Sequence, residues 1–433
     1  MSTTAESALQ EAVAVPQGLW ARLGALSVPQ FRRYWLGSLA SVGAIQMSII
    51  GAGWLIVDEL GGSGITLGYL GAATAVPTIA VNLFGGLLAD RVDKRYLIVV
   101  VSAFMAIALT ALALLDATGV IQIWHVIVFA SVQGLLQGFD GPVRSSFFPL
   151  LIGRQHMLSA VALGSVMWQF SRIVTPMLGA VLIATLGTEA IFFAGAGGWI
   201  TMMFVMFTIH IDKQQLVPRV KRRVVDDLTD GVRYILRSRI FYTLIGLTYA
   251  THFFGFQYVQ LMPLFAKRFD VGADGEVGLG FLYSIMGVGA ITGTAVASRL
   301  RGQRRLGRFM IGGSLLFTVF VSVFAFSPYF VLSLAAIFFA AMSNTVFFVS
   351  SMTTLQLRVP SNLRGRVMGI YTVTFSLIPL GGFMGGAIAD SLDERWAVFI
   401  GAALLAAVVG IVALFVRELR SIDGTKLESE SPA

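Results

Sequence analysis

The sequence predicts an all-α polytopic membrane protein with twelve transmembrane helices in two pseudo-symmetric six-helix bundles. Three observations predict it. Of 433 residues, 56% are hydrophobic and 12% charged, with a mean hydropathy of +0.80, against roughly 25% charged in soluble domains. The apolar residues fall into twelve runs of about 20, the length that crosses a bilayer at about 1.5 Å per residue. A polar stretch, residues 211–239, divides these runs six and six.

Residues 1–33 form a cytoplasmic lead-in, amphipathic from residue 20 onward. Residues 1–19 have neither a basic start nor an apolar core, so the first span is expected to do the targeting. An N-terminal bundle occupies 34–210. Span one, Tyr34 to Val57, is anchored by Arg32 and Arg33 and ends at Asp58 and Glu59. Span two, Ile65 to Ala89, contains Pro77 and Asn82, tolerable only where neighbours or water satisfy the freed groups. Gly85 to Arg95 reads G-G-L-L-A-D-R-V-D-K-R, a tight, net-positive turn that belongs on the cytoplasmic side.

Span three covers Tyr96 to Leu115. Span four, Ile121 to Pro142, carries Gln133, Gln137 and Asp140, with Arg144 just beyond. Asp140 and Arg144 are four apart and share a helix face, which predicts an ion pair. Span five, Met157 to Leu186, holds Arg172 about 15 residues in, near the bilayer centre. A lipid-facing guanidinium there would cost at least roughly 2.5–3.5 kcal/mol, so Arg172 is expected to face protein or a water-filled cavity. Span six is Ala190 to Ile209.

The linker 211–239 is rich in Lys and Arg, and Asp226 to Leu236 reads as a surface helix. A C-terminal bundle, 240–416, follows: Ile240 to Phe265, Gly278 to Ala297, Phe309 to Phe326, Phe330 to Thr353, Val367 to Ala389 and Trp396 to Val416. Residues 417–433 are a polar tail, and both termini are expected to be cytoplasmic.

The net charge of +8 does not mark a nucleic-acid partner. Apart from Arg172, only Lys267, Arg268 and Arg395 of the 31 Lys and Arg residues fall on the outer side, which is positive-inside bias rather than a binding stripe. With no cysteine there can be no disulfide or thiolate metal site. No phosphate-binding glycine loop precedes a lysine, and His125, His156, His210 and His252 lack zinc-motif spacing. No enzyme activity, cofactor or metal is expected.

An internal repeat supports two halves. Gly85 to Arg95, ending span two, corresponds in place to Gly293 to Arg305, ending span eight. Arg154 to Ala162 corresponds to Val359 to Val367, and the Pro176/Gly179 pair recurs as Pro379/Gly382. Fused halves of this kind place a transport pathway at their interface.

Gly86, Leu88, Ala89, Asp90, Arg91, Lys94 and Arg95 resemble the signature between the second and third helices of the major facilitator superfamily, with Asp93 where glycine is usual. Pro142, Arg144, Pro149 and the run from Arg358 to Gly369 (R-V-P-S-N-L-R-G-R-V-M-G) resemble a bacterial exporter branch. That branch is related to the enterobactin exporter, the Tap multidrug pumps and the macrolide efflux proteins. The resemblance spans about residues 27 to 420. It implies a monomeric secondary transporter in the bacterial inner membrane, surrounded by lipid, exporting an amphiphilic siderophore or drug by proton antiport. Thr175 to Ala180 resembles an antiporter signature in degraded form, lacking its terminal glycines.

Through the resemblance, Asp90, Arg91, Arg95 and Arg144 become a gate latch, in which Asp90 caps the start of span eleven and pairs with Arg144; the alternative is a static cap. Proton coupling needs a carboxylate protonated in a desolvated setting, and the candidates are Asp58, Asp140 and Glu59. Polar and aromatic residues on central spans are the candidate substrate cavity: Arg172, Gln46, Trp54, Gln133, Trp168, Gln169, His252, Gln257, Tyr258, Asn344 and Tyr371. The alternatives to efflux are import or uniport of a small metabolite, or a non-transport role such as lipid scrambling or sensing.

Overall fold

The computed structural model describes residues 24–89, 93–210, 224–272, 275–300 and 302–425. The expected lead-in before Gly24, the linker before Val224 and the tail beyond Thr425 lie outside them. Helices follow the apolar runs. α1 (Pro29–Asp58) opens on Pro29, whose fixed φ suits a first helical turn and whose missing N–H leaves one fewer unpaired donor there. α2 (Gly64–Ala89), α3 (Lys94–Ala117), α4 (Ile123–Phe147), α5 (Met157–Leu186) and α6 (Thr188–Phe207) complete the first half. Gly187 alone joins α5 to α6, at a φ of 90° that would strain any side chain.

The helix expected at Asp226 to Leu236 is α7 (Val224–Arg237), tied to the second half by an Arg366–Asp230 ion pair at 3.0 Å. Span seven is not one helix but two, α8 (Arg239–Ala250) and α9 (Gln257–Phe269), separated by a widened π-type turn at Thr251–Gly255. A Cβ at Gly255 would lie 2.5 Å from Phe317 Cε1, so the turn lets the backbone press against the helix Leu306–Phe326. After it come α10 (Glu276–Leu300), α11 (Leu306–Phe326), α12 (Phe330–Arg358), α13 (Ser361–Thr372), α14 (Thr374–Ser391) and α15 (Glu394–Phe415). Among the described residues, eleven helical stretches are long and apolar enough to span a membrane, with α13 and α14 read as one. Residues 239–269 supply the twelfth.

The halves repeat one packing scheme. In the first, α1 packs on α5, α2 on α4, and α3 on α4 and α6. In the second, α9 packs on α14, α10 on α12, and α11 on α12 and α15. Two seams join the halves, α2 against α14 and α5 against α10. Each places one of the repeated prolines against a glycine of the other half. A Cβ at Gly71 would lie 2.7 Å from the Pro379 carbonyl oxygen, and one at Gly280 would lie 2.6 Å from Ala180 Cβ and 3.2 Å from the Pro176 carbonyl oxygen. Small residues thus bring backbones together where lipid supplies no hydrophobic drive.

The charges sort the molecule's two ends. Asp58, Glu59, Asp116, Glu189, Asp390 and Glu394 gather at one, the acidic end; Lys94, Arg95, Arg144, Arg305, Arg358 and Arg366 gather at the other, the basic end. The close contacts between halves at Gly64, Gly68 and Gly71 of α2, and at Gly280 and Gly287 of α10, run from mid-span to the acidic end. The molecule is closed there.

Candidate transport cleft and gates

Arg172 lies midway along α5, where α10 passes so close that a Cβ at Gly287 would meet the Arg172 carbonyl oxygen at 3.3 Å. Its side chain is solvent-accessible and within electrostatic reach of Tyr258 and His252 in the opposite half. Among the described residues no carboxylate pairs with it. The halves meet from Arg172 toward the acidic end, so the guanidinium opens toward the basic end. Trp168, 44% exposed and one turn nearer that end, shares its face of α5. Gln169 of α5 and Gln46 of α1 are half-buried. Arg172, Trp168, Gln169 and Gln46 are the expected cavity residues that keep access to solvent.

The other seven expected cavity residues are buried inside the bundles, some of them tying helices together and others, Gln257 and Asn344, with side-chain polar atoms left unpartnered. Trp54 is 1% exposed within the first-half core. Gln133 donates to Ser48 Oγ and ties α4 to α1. His252 Nδ1 lies 2.9 Å from the Thr248 carbonyl oxygen, and its ring stacks on Phe256 at 5.0 Å. Gln257 is wedged between Gly385 and Gly401. Tyr258 directs its hydroxyl to Met286 Sδ at 3.6 Å, and Tyr371 donates to the Phe348 carbonyl oxygen at 3.3 Å. Asn344 is buried in α12.

At the basic end, the Asp140–Arg144 pair forms as the spacing predicts. Arg144 Nε donates to Asp140 at 2.7 Å, Nη1 donates to Ser38 Oγ at 3.1 Å, and the guanidinium lies 5.7 Å from the Trp199 ring centroid. Asp90 and Arg91 of the expected latch lie outside the described residues. Arg95 does not meet Arg144; it donates to the Met206 and Phe207 carbonyl oxygens at 2.8 and 3.1 Å. A cation there satisfies acceptors and the negative dipole end of α6. Asp93, the departure from the expected glycine, accepts from the Arg95 amide at 2.9 Å and caps α3.

At the acidic end, Asp58 pairs across the seam with Lys267 at 3.1 Å. Glu59 shares the Thr188 hydroxyl with Asp116, whose Oδ2 lies 2.6 Å from it. One hydroxyl carries one proton, so it donates to one of these carboxylates at a time. Sequence reading left out Asp116, Thr188, Lys267 and Asp390. Their common signal was position at a span terminus, which many solvated charges share.

A family model described as "transmembrane secretion effector" matches residues 20–432. The chain belongs to this major facilitator family. It is a transporter, not an enzyme, and the twelve-helix arrangement is that of the superfamily. This transporter is similar to the enterobactin exporter EntS of Escherichia coli (strain SMS-3-5 / SECEC), with 24% identity over 93% of this chain and 96% of the relative. It is similar to the multidrug efflux pump Tap of Mycolicibacterium fortuitum, with 23% identity over 87% of this chain and 93% of the pump. The staphyloferrin A transporter of Staphylococcus aureus (strain NCTC 8325 / PS 47) is 23% identical over 79% of this chain and 85% of its own length. The fold matches a bacterial homologue of the human lysosomal transporter Spinster, with a TM-score of 0.71 and 12% identity over 94% of this chain and 99% of that one. A bacterial homologue of the iron transporter ferroportin gives a TM-score of 0.70 with 14% identity over 91% and 99%.

Proposed function

We propose that this transporter exports an amphiphilic organic compound with an acidic group from the bacterial cytoplasm, driven by proton entry. The observation that carries the reading is Arg172: an unpaired guanidinium at mid-span, reached by solvent, with the aromatic face of Trp168 one turn away. A guanidinium in such a cleft recognises carboxylate or phenolate oxygens through charge-assisted hydrogen bonds and repels cations. Among the relatives, two bear names of siderophore transport and one of drug efflux. The positive charge of the cleft favours siderophore-like organic acids over cationic drugs.

Positive-inside bias makes the basic end cytoplasmic and both termini with it. The closed acidic end is then the outer gate, and the cleft faces the cytoplasm. The transporter works as a monomer in the inner membrane, each half rocking about the central site.

The proton step follows from the exchange of partners at Arg144. In this inward-facing state Arg144 is paired with the buried Asp140 at 2.7 Å. When the inner gate shuts and Arg144 turns to Asp90, Asp140 loses that partner and takes a proton from the outside. Return of Arg144 expels the proton inward, so each cycle moves a proton in and a substrate out. Asp58 and Glu59, held by Lys267 and Thr188 at the acidic end, carry no proton in this cycle.

Uptake into everted vesicles tests the reading. Siderophores should accumulate in a gradient-dependent way, and Arg172→Ala should weaken their binding roughly ten- to hundredfold while the protein stays folded. Accumulation insensitive to an imposed pH gradient would point to uniport and refute coupling.

A further inference from the structure

Asp390 ends α14 at the acidic end, and its carboxylate reaches across the seam to the start of α2. Oδ2 accepts from Ser63 Oγ at 2.6 Å, and Oδ1 accepts from the Ile65 amide at 3.2 Å. α2 begins at Gly64, so a residue of one half supplies the N-terminal cap for a helix of the other. Backbone donors and the positive dipole end of α2 both favour a carboxylate in that place. Gly64 leaves room for it, since a Cβ there would lie 2.8 Å from Ala389 Cβ and 3.0 Å from Asp390 Oδ1.

The sequences at the two relevant helix ends match. α2 closes on G-G-L-L-A, residues 85–89, with an aspartate next in sequence, and residues 385–390 near the end of α14 read G-G-A-I-A-D. These helices run antiparallel along one seam, so a local twofold axis across the seam exchanges the basic end of α2 with the acidic end of α14. It also exchanges the start of α2, where Asp390 is seated, with the start of span eleven.

We propose that Asp390 is the outer-gate clasp of this transporter, capping α2 while the outer end is closed and leaving it when that end opens. Other polar contacts bridge the halves near it, among them Gln260 Nε2 donating to the Leu67 carbonyl oxygen of α2 at 2.9 Å, but Asp390 alone of the described carboxylates caps a helix of the other half. Lys267 and Asp58 also bridge the halves, but as one exposed side-chain ion pair at 3.1 Å, without the backbone donor and helix dipole that Asp390 meets. On the other seam the polar bond is Ser284 Oγ to the Ile173 carbonyl oxygen at 2.7 Å, at mid-span, where a rocking motion changes distances least. Asp390 sits at the rim, where the same motion changes them most. Its exposure leaves water ready to replace Ser63 and Ile65 as the gate parts. The inference rests on alternation of the two halves and on neither the cargo nor the coupling ion.

The absence of native cysteine allows direct measurement. Spin labels at Val120→Cys and Leu392→Cys, two exposed outer-loop positions in opposite halves, report the outer gap in nanodiscs by pulsed electron resonance. Asp390→Ala should raise the ratio of open to closed outer gate roughly fivefold, the effect of losing one helix cap. Ser63→Ala should shift it in the same direction by less, and Lys267→Ala should leave it nearly unchanged. An unaltered distance distribution in folded, monodisperse Asp390→Ala protein would overturn the proposal. Should that variant fail to fold, an unaltered distribution in Ser63→Ala would overturn it equally. A transport assay silent for every cargo would leave these distances, and the proposal, untouched.

Discussion

Arg172 carries its charge at a depth where desolvation is costly, and that cost made it legible in the sequence: a guanidinium at mid-span must face water or a partner. The structure adds that it faces the opposite half without a carboxylate, so a ligand can supply the counter-charge. Asp140 is the complementary case. Its spacing from Arg144 predicted the ion pair, and the pair forms at 2.7 Å. Asp140→Asn should bind substrate normally yet lose substrate-dependent proton movement, because an amide cannot take up and release the proton; proton flux and substrate binding measured on one preparation separate the two. The buried group of seven could not be distinguished from cavity lining in the sequence. In a soluble helix a polar residue on the inner face stands out, whereas between membrane helices it serves equally to bond a neighbour, as Gln133 bonds Ser48. Asp93 was conspicuous as a departure from the family pattern, but its duty as the cap of α3 follows only from backbone geometry.

Spans were legible because hydrophobic length is dictated by the bilayer, and the predicted ends lie close to those of α1, α3 and α5. The break in span seven was not. Thr251 to Gly255 contains no proline, and a turn widened by packing against Phe317 leaves no local mark. The repeated Pro176 and Pro379 were visible, but not the glycines they face, since nothing local connects Pro379 with Gly71. These seams are built for backbone approach. Gly71→Val and Gly280→Val should each wedge the outer halves of the seams apart, at about 1–3 kcal/mol for forced overpacking. Both should lower thermal stability and populate an open outer gate in the same spin-label measurement. Gly246→Ala in α8, with nothing within 4 Å of an added Cβ, is the neutral control.

Across the whole molecule, one arrangement joins the charge sorting, the two seams and the cleft. The halves meet from mid-span to the acidic end, so the central guanidinium opens toward the basic end in this state. In the proposed cycle rocking releases the outer clasp at Asp390 as the inner end closes. Two-half organisation and positive-inside bias were readable from composition and repeat. Which end is closed was not, because one sequence must encode both states with nearly equal energy. Proton movement into liposomes holding purified protein of known orientation, followed on addition of siderophores and of cationic or macrolide drugs, tests the central claim most directly. The account predicts proton flux opposite in direction to siderophore flux, lost in Asp140→Asn and reduced in Arg172→Ala. Siderophore flux with no accompanying proton movement, or proton flux triggered by cations alone, would contradict it.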